Sequence, residues 1–182
     1  MIPFLEAKHI VNGHIGKMGM ELLPLQECGD RILAENIVAS FPSPQFNNSA
    51  MDGFAVRSED TLGSSVDTPV RLNMVSISAA GSPTEVTIGS GECAQCMMGA
   101  KIPDGADAVI MVEDTSGFSD GDSVQIFLEV HPEKHIRRKG EEISKGELLI
   151  QKGTKITASE LGTCATFGYG ELNVSRQPKI AI

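Results

Sequence analysis

A polar loop runs directly into an apolar strand in the stretch Asn48-Ser49-Ala50-Met51-Asp52-Gly53-Phe54-Ala55-Val56. The asparagine and serine side chains of such a loop can satisfy nearby backbone groups, and Gly53 permits backbone conformations that other residues resist. Asp52 is therefore expected at the mouth of a strand, where a carboxylate can hold a divalent cation or position a water molecule. The alternative is an Asx-type turn, in which the Asp52 carboxylate only caps backbone amides.

Short apolar runs separated by turn residues follow this stretch, from Phe54 to about Phe127. The candidate strands are 70–72, 75–77, 86–88, 109–112 and 124–127, and the turns between them contain Gly81-Ser82-Pro83, Gly89-Ser90-Gly91, Pro103-Asp104-Gly105 and Asp120-Gly121-Asp122. Many short strands with regular turn signals predict a small antiparallel β-barrel or sandwich. The Asp120-Gly121 pair between two apolar runs predicts a tight hairpin.

The segments on either side of this β region mix helix and strand signals. Apolar residues at helical spacing predict a helix over 3–17, and a shorter helix is expected over 28–34. Thr157 and Glu160 have the spacing of a capping box, which predicts a helix over about 157–167. Short strands are expected at 35–40, 148–150 and 171–174, and the terminal run 178–182 predicts the start of another strand. The fold class is therefore mixed α+β and mainly β.

The charge balance excludes one class of function. The chain of 182 residues has 15 Lys and Arg against 24 Asp and Glu, which gives a formal net charge of −9. Nonspecific binding to nucleic acid needs a basic surface, so we expect no nucleic-acid partner. No apolar run approaches the roughly 20 residues that a membrane span needs, and the N-terminus lacks the features of a signal peptide. We therefore expect no membrane association and a cytoplasmic location.

The cysteines leave two interpretations open. Cys93 and Cys96 form a single C-x-x-C, and His131 and His135 have the spacing of a ligand pair. A structural zinc site could use these four residues, although Pro132 between the histidines disfavours a helical ligand pair. The alternative is that Cys96 points inward from a strand and packs as a small hydrophobic residue.

Three consecutive cations, Arg137-Arg138-Lys139, stand out in an acidic chain. Arginine offers a planar fork of donors, so this cluster can bind a phosphate or another oxyanion. The alternative is self-neutralisation, because Glu141 and Glu142 follow immediately. The stretch from Met98 to Val109, by contrast, predicts a proline turn before a buried strand and contains no evident reactive group.

Three motifs, taken in order, resemble those of one family. Residues 48–56 are similar to the N-S-A-M-D-G-[YF]-A-V signature of the MoeA proteins, which share it with the E domain of gephyrin. Residues 99–110 resemble the family's G-A-x-[IV]-P-x-G-A-D-x-V-[VI] segment, and residues 137–143 resemble its R-x-x-G-E-D-[IV] segment. The motifs cover nearly the whole chain, which is thereby identified as similar to the N-terminal part of a MoeA-type protein.

The resemblance implies an arrangement of domains. It implies a β domain over 47–136 inserted into a segmented first domain built from 1–46 and 137–182. Residues 178–182 resemble the strand that opens the family's third, pterin-binding domain. We therefore expect the chain to be a piece of a longer protein.

The resemblance also implies an activity. MoeA-type proteins are molybdopterin molybdenumtransferases, which cleave adenylylated molybdopterin with Mg²⁺ and insert molybdate into molybdopterin. It implies a homodimer acting on a small-molecule substrate, with the molybdopterin adenylyltransferase as a protein partner, and a fragment that is inactive by itself. The alternative is a non-catalytic dimerisation and interaction scaffold of the gephyrin E-domain type.

Site residues follow from the matched motifs. The resemblance implies Asp52 and Glu142 as catalytic carboxylates, with Asp52 also a metal ligand. The implied substrate-binding residues are Ser49, Met98, Gly99, Lys101 and Arg137. Met98 stands where the family pattern has threonine, Lys101 where it usually has proline, and Glu142 where it has aspartate. Either Met98 faces the cleft without a hydroxyl, or it packs into the β domain and Lys101 supplies the oxyanion contact.

Overall fold

The computed structural model describes residues 2–14, 16, 18–82, 84–118 and 121–180. The chain divides into two compact units. The first unit comprises Met1–Phe41 and Gly146–Ile182, and the second comprises Pro42–Lys145. The segments that flank the β region thus belong to one unit.

Strand residues outnumber helical residues over the chain as a whole, which confirms the mixed, mainly β fold class. The strands are β1 (Met20–Pro24), β2 (Ile37–Val38), β3 (Asn48–Ser49), β4 (Gly53–Val56), β5 (Val70–Ser78), β6 (Glu92–Cys96), β7 (Ala108–Met111), β8 (Ser123–Ile126), β9 (Ile136–Arg137), β10 (Leu148–Ile150) and β11 (Glu171–Ser175). The helices are α1 (Phe4–His14) and α2 (Ala158–Thr166), and short 3₁₀ turns cover Leu25–Glu27, Ser58–Thr61 and Val112–Asp114.

Pairing between the two ends of the sequence builds the first unit. Strand β1 runs antiparallel to β11, with Met20 opposite Ser175, and β2 pairs with β10. The buried core lies between these ladders and α2 and consists of Cys28, Leu33, Ile37, Ile150, Ile156, Cys164, Leu172 and Val174. Burial of apolar side chains contributed by both ends therefore holds the unit together.

The two helices differ in how they are stabilised. Helix α2 begins at Thr157, and Thr157 and Glu160 form the predicted capping box. The hydrogen bonds that Thr157 donates hold the pKa of the Glu160 carboxyl below its ordinary value. Helix α1 buries none of its residues, and Phe4 and Leu5 are 78% and 76% exposed. Its apolar side chains therefore lack the packing that stabilises most helices of this length.

The predicted helix over 28–34 is wrong. Asp30 adopts a left-handed backbone with a φ of 62°, which no α-helix accommodates. The residues after it pair instead with distant backbone, since Ile32 lies opposite Lys155 and Leu33 opposite Val174. Long-range pairing overrides the local helical pattern here.

A curled five-stranded sheet with the order β7-β4-β6-β5-β8 forms the centre of the second unit. Strand β4 is antiparallel to both of its neighbours, β6 and β7. The prediction of a purely antiparallel sheet is wrong at one pair, because β5 and β6 run parallel. The candidate strands 70–72 and 75–77 are one continuous strand, β5, whereas 86–88 forms no strand. Ile88 is nevertheless buried, and its N–H donates to the carbonyl of Asp104.

A second set of backbone bonds extends this unit beyond the predicted limits of 47 and 136. Ser43 pairs with Ile143, and the N–H of Gly140 donates to the carbonyl of Pro44 at 2.9 Å. Strand β9 pairs with β3 between these points. The ladder ties the basic segment 137–139 to the loop that opens the β region.

The two cysteines of the C-x-x-C lie in different apolar clusters. Cys93 packs with Phe54 and Leu72, whereas Cys96 packs with Ala55 and Val109. Residues three apart on a strand point to opposite faces, so the two thiols cannot share a ligand. Burial raises the pKa of Cys93 to about 12 and that of Cys96 to about 11. This geometry contradicts a zinc site built on this pair and confirms Cys96 as an inward-facing small side chain.

Several predicted features include residues outside the described part of the chain. These residues are Ile15 and Lys17 in the predicted helix, Pro83 and Asp120 in predicted turns, and Ala181 and Ile182 in the terminal strand. Among the residues that are described, no helix has the length and apolar character to cross a bilayer.

Gly53 gives the fold a sharp mutational test. A Cβ at this position would lie 1.8 Å from the carbonyl oxygen of Ile110 on β7. Gly53→Ala must therefore push β4 and β7 apart, and we expect a loss of about 3 kcal/mol or more in the free energy of unfolding. Gly162→Ala on α2 is the matched control, because nothing lies within 4 Å of that Cβ. Chemical denaturation of both variants and of the wild type measures the free energies of unfolding. A Gly53→Ala variant as stable as the wild type would contradict the β4–β7 register.

Candidate functional site

Strand β3 lies between two other segments of the second unit. On one side the Ser49 N–H donates to the carbonyl of Ala100 at 3.0 Å, and the Gly99 N–H donates back to the Ser49 carbonyl at 2.8 Å. On the other side Asn48 and Ser49 pair with Arg137 and Ile136 of β9. The motifs that resemble the family's three segments therefore meet at β3.

Asp52 is held by the backbone of the second motif. Its Oδ1 accepts a hydrogen bond of 2.7 Å from the N–H of Met98. Its carbonyl accepts another, of 3.1 Å, from the N–H of Val112 at the end of β7. Within the described residues Oδ2 has no hydrogen-bond donor, and the side chain is exposed. The carboxylate is thus fixed in direction with one oxygen open to a ligand.

The backbone of Met98, and not its side chain, makes this contact. The Met98 side chain is 50% exposed, so it does not pack into the β unit. This exposure contradicts the part of the alternative in which Met98 packs into the β domain, whereas the other part, an oxyanion contact from Lys101, stays a prediction. Since a backbone N–H is available whatever the side chain, threonine is not needed at position 98 to hold Asp52.

Ser49 has a structural position within the loop. It is fully buried, and its hydroxyl donates to the carbonyl of Met51 at 2.6 Å. The hydroxyl also accepts from the Met51 N–H at 3.3 Å. Its hydrogen bonds close the turn that precedes Asp52.

Glu142 and Arg137 line a separate cleft of about 350 Å³ with Asn48 and Ser43. The Ser43 hydroxyl donates to Glu142 Oε2 at 3.2 Å, which orients the carboxylate. Neither Asp52 nor Lys101 is among the residues that line this cleft. The two predicted catalytic carboxylates therefore make different contacts. Asp52 accepts a hydrogen bond from the Met98 N–H, whereas Glu142 accepts one from the Ser43 hydroxyl.

The basic segment is neutralised only in part. Arg138 forms an ion pair with Glu133 at 2.8 Å, and its N–H donates to Glu141 Oε2 at 2.7 Å. The described carboxylates form no ion pair with Lys101, Arg137 or Lys139. Each interpretation of the cation cluster therefore holds for one residue. Arg138 is paired with Glu133, whereas Arg137 has no ion-pair partner among the described carboxylates and is free to bind an anion.

The donor set suits a magnesium ion only in combination with a substrate. No group of three or more His, Cys, Asp or Glu side chains that could hold a metal ion occurs in the described ranges. Mg²⁺ is commonly bound by one or two carboxylates together with substrate phosphates. Oδ2 of Asp52 fits the role of one such protein ligand.

Asn48 is a candidate site residue that the residue-level reasoning missed. It lines the Glu142 cleft, and its Oδ1 is buried without a hydrogen-bond partner in the described structure. A buried polar atom without a partner costs about 1–3 kcal/mol and indicates a place where a ligand group fits. The only sequence signal was its place at the head of the first motif, where a loop asparagine is ordinarily assigned to turn capping.

Comparisons with known protein families identify the architecture. Residues 2–168 match the model of the MoeA N-terminal region (domain I and II). This match covers most of the chain and includes all seven predicted site residues.

Characterised relatives and solved structures give the same result. The chain is 36% identical over 178 residues to the molybdopterin molybdenumtransferase of Staphylococcus epidermidis, covering 96% of this chain and 41% of that protein. It is 35% identical over 181 residues to the enzyme of that name from Staphylococcus aureus, covering 100% and 43%. The crystal structure of the molybdopterin biosynthesis MoeA protein from Pyrococcus horikoshii OT3 superposes with a TM-score of 0.85 at 31% identity, covering 98% and 47%. The chain spans less than half the length of these proteins.

Proposed function

This chain belongs to the MoeA family, whose N-terminal region it matches, and we propose that it is part of a molybdopterin molybdenumtransferase. The full-length enzyme cleaves adenylylated molybdopterin, releases AMP and inserts molybdate into molybdopterin. The relatives named for this activity are more than twice as long as this chain. We therefore expect the 182-residue chain alone to be inactive.

One observation carries the proposal. The carboxylate of Asp52 is exposed, anchored on the Met98 N–H and open at Oδ2. A carboxylate that served only as a turn cap would bond to amides of its own loop, whereas this one reaches a segment 46 residues away. A fixed carboxylate with one free oxygen suits a reaction on a phosphate substrate that carries a divalent cation.

The residues of the site have separable roles in this proposal. Asp52 would hold Mg²⁺ together with the substrate phosphates, and the ion would neutralise developing charge on the phosphate oxygens when bound. Arg137 would bind substrate oxygens through its guanidinium fork, and Glu142, oriented by Ser43, would be the second carboxylate of the reaction. Ser49 and Gly99 would support the site through the backbone bonds that join their segments.

The exposed apolar face of α1 supports the homodimer proposal. Phe4, Leu5 and Val11 are each more than half exposed. Contiguous apolar side chains exposed to water are unfavourable and mark interaction surfaces. A contact with a second copy of the chain would remove these side chains from solvent. The same feature supports the second candidate function, a dimerisation and interaction scaffold without catalysis, and binding of the molybdopterin adenylyltransferase is proposed as a further protein contact.

Asp52→Asn in the full-length enzyme separates a catalytic from a structural role of Asp52. The amide keeps an oxygen for the Met98 N–H but loses the charge, so we expect at least a hundredfold loss of AMP release with little change in melting temperature. Asp67→Asn is the matched control, because Asp67 is exposed and belongs to none of the three motifs. Equal losses of activity and stability would show that Asp52 has a structural role, and unchanged AMP release would show that its carboxylate is not needed for the reaction. A wild-type full-length protein that releases no AMP would favour the scaffold.

Met98→Thr in the full-length enzyme tests whether the side chain at position 98 faces the substrate. A hydroxyl can donate and accept near a phosphate or molybdate oxygen, whereas a thioether cannot donate. One such hydrogen bond to a charged group contributes about 1.5–3 kcal/mol, so turnover should rise roughly tenfold or more. Met98→Leu is the matched control and should leave turnover unchanged. If threonine lowers the melting temperature and leaves AMP release as it was, the side chain does not face the substrate.

A further inference from the structure

Three side chains form a row across β3. Asn48 lies opposite Lys101 on one side and opposite Arg137 of β9 on the other. Both pairings are antiparallel, and residues directly opposite each other in such a ladder project from the same face. The Lys101, Asn48 and Arg137 side chains therefore project from one face of this short ribbon.

The backbone bonds show that Asn48 and Lys101 form the more closely spaced of the two kinds of antiparallel residue pair. The Ser49 N–H donates to Ala100 and the Ile102 N–H donates to Asn47, each at 3.0 Å, so the bonds flank the pair of Asn48 and Lys101. In an antiparallel ladder, side chains approach most closely at a pair flanked in this way. Lys101 is thus next to Asn48, although it lies outside the cleft that Asn48 shares with Arg137.

Lys101 gives the row a net positive charge. Arg137 shares its cleft with the carboxylate of Glu142, whose opposite charge offsets part of the positive potential on that side although the two side chains form no ion pair. Lys101 adds a positive charge, and no ion pair to it occurs among the described side chains. In a chain of net charge −9, a local excess of positive charge is needed before an anion can bind.

Asn48 supplies an independent sign of a ligand. Its Oδ1 is buried between the two cationic positions and receives no hydrogen bond within the described structure. A ligand that is both anionic and able to donate one hydrogen bond would satisfy the whole row. A tetrahedral oxyanion has this chemistry when it keeps one proton or carries a bound water, since its oxygens accept from the cations and the proton or the water donates to Asn48.

We propose that Lys101, Asn48 and Arg137 form a subsite for a tetrahedral oxyanion, in which both cations contribute to its affinity. The subsite rests on the proposed function, because the substrates of that reaction bring two such groups, molybdate and the phosphate of the adenylyl group. Lys101 stands at a position for which the family pattern predicts no cation.

Calorimetric titration of the 182-residue chain with molybdate, and separately with inorganic phosphate and AMP, tests the proposal. We expect binding that weakens as salt is added, because both cations are partly exposed. Lys101→Gln should weaken it about tenfold and Arg137→Gln by a similar factor. Lys152→Gln is the matched control, an exposed lysine of the first unit, and should change nothing. Melting temperatures verify that each variant is folded.

The titrations also identify the source of the oxyanion. Binding of molybdate alone assigns the subsite to the metal oxyanion, and binding of phosphate and AMP assigns it to the adenylyl phosphate. No binding of any of the three anions at millimolar concentration, or equal affinity in wild type and Lys101→Gln, overturns the subsite. If the wild-type full-length protein releases no AMP while Lys101→Gln still loses anion affinity, the proposed function fails and the subsite remains.

Discussion

Backbone hydrogen bonds on both sides of β3 are the interaction on which the site depends. Strand β3 has only two residues, yet it joins the loop at 99–102 to β9. These three segments are far apart in sequence and contain the residues with binding chemistry. Without the β3 bonds, Asp52, Lys101 and Arg137 would lie on three independent loops, each with its own conformational entropy. The ladder replaces that freedom with fixed positions before any ligand arrives.

The sheet beside β3 fixes the direction of the Asp52 loop. Strand β4 begins one residue after Asp52 and is hydrogen-bonded on one side to β6 and on the other to the edge strand β7. Its first residue, Gly53, lies so close to the backbone of β7 that no side chain fits. The motif therefore ends in a rigid strand, whereas the carboxylate itself remains in solvent. Rigid support with an exposed reactive group is the usual division between scaffold and functional loop.

Features with a local cause were predictable from the sequence, and features with a distant cause were not. The capping box of Thr157 and Glu160 involves neighbours in sequence, so α2 was predicted almost to the residue. The segment 28–34 has a helical pattern but is bonded to residues more than 100 positions away, and the helix prediction failed. The parallel pairing of β5 and β6 is likewise a matter of topology that composition does not express.

The features of the candidate site were likewise predictable from the sequence only where their cause is local. The first motif indicated Asp52 as a carboxylate at the mouth of a strand, with a turn cap as the structural alternative. Nothing in the local sequence showed that the Met98 backbone would hold it, or that Asn48 would lie between two cations. Those facts depend on register between strands, which a single residue of slippage would change completely. The resemblance to a family indicated which segments form the site, and the structure shows which of their atoms are in contact.

Amide hydrogen exchange at the β3 ladder tests the central claim most directly. The N–H groups of Ser49, Ala50, Gly99 and Ile102 each donate to backbone across the ladder. They should therefore exchange slowly and together, with protection close to that of the β4 amides, because opening β3 exposes all four at once. Exchange of these amides at the rate of an unstructured peptide, while β4 stays protected, would contradict the account.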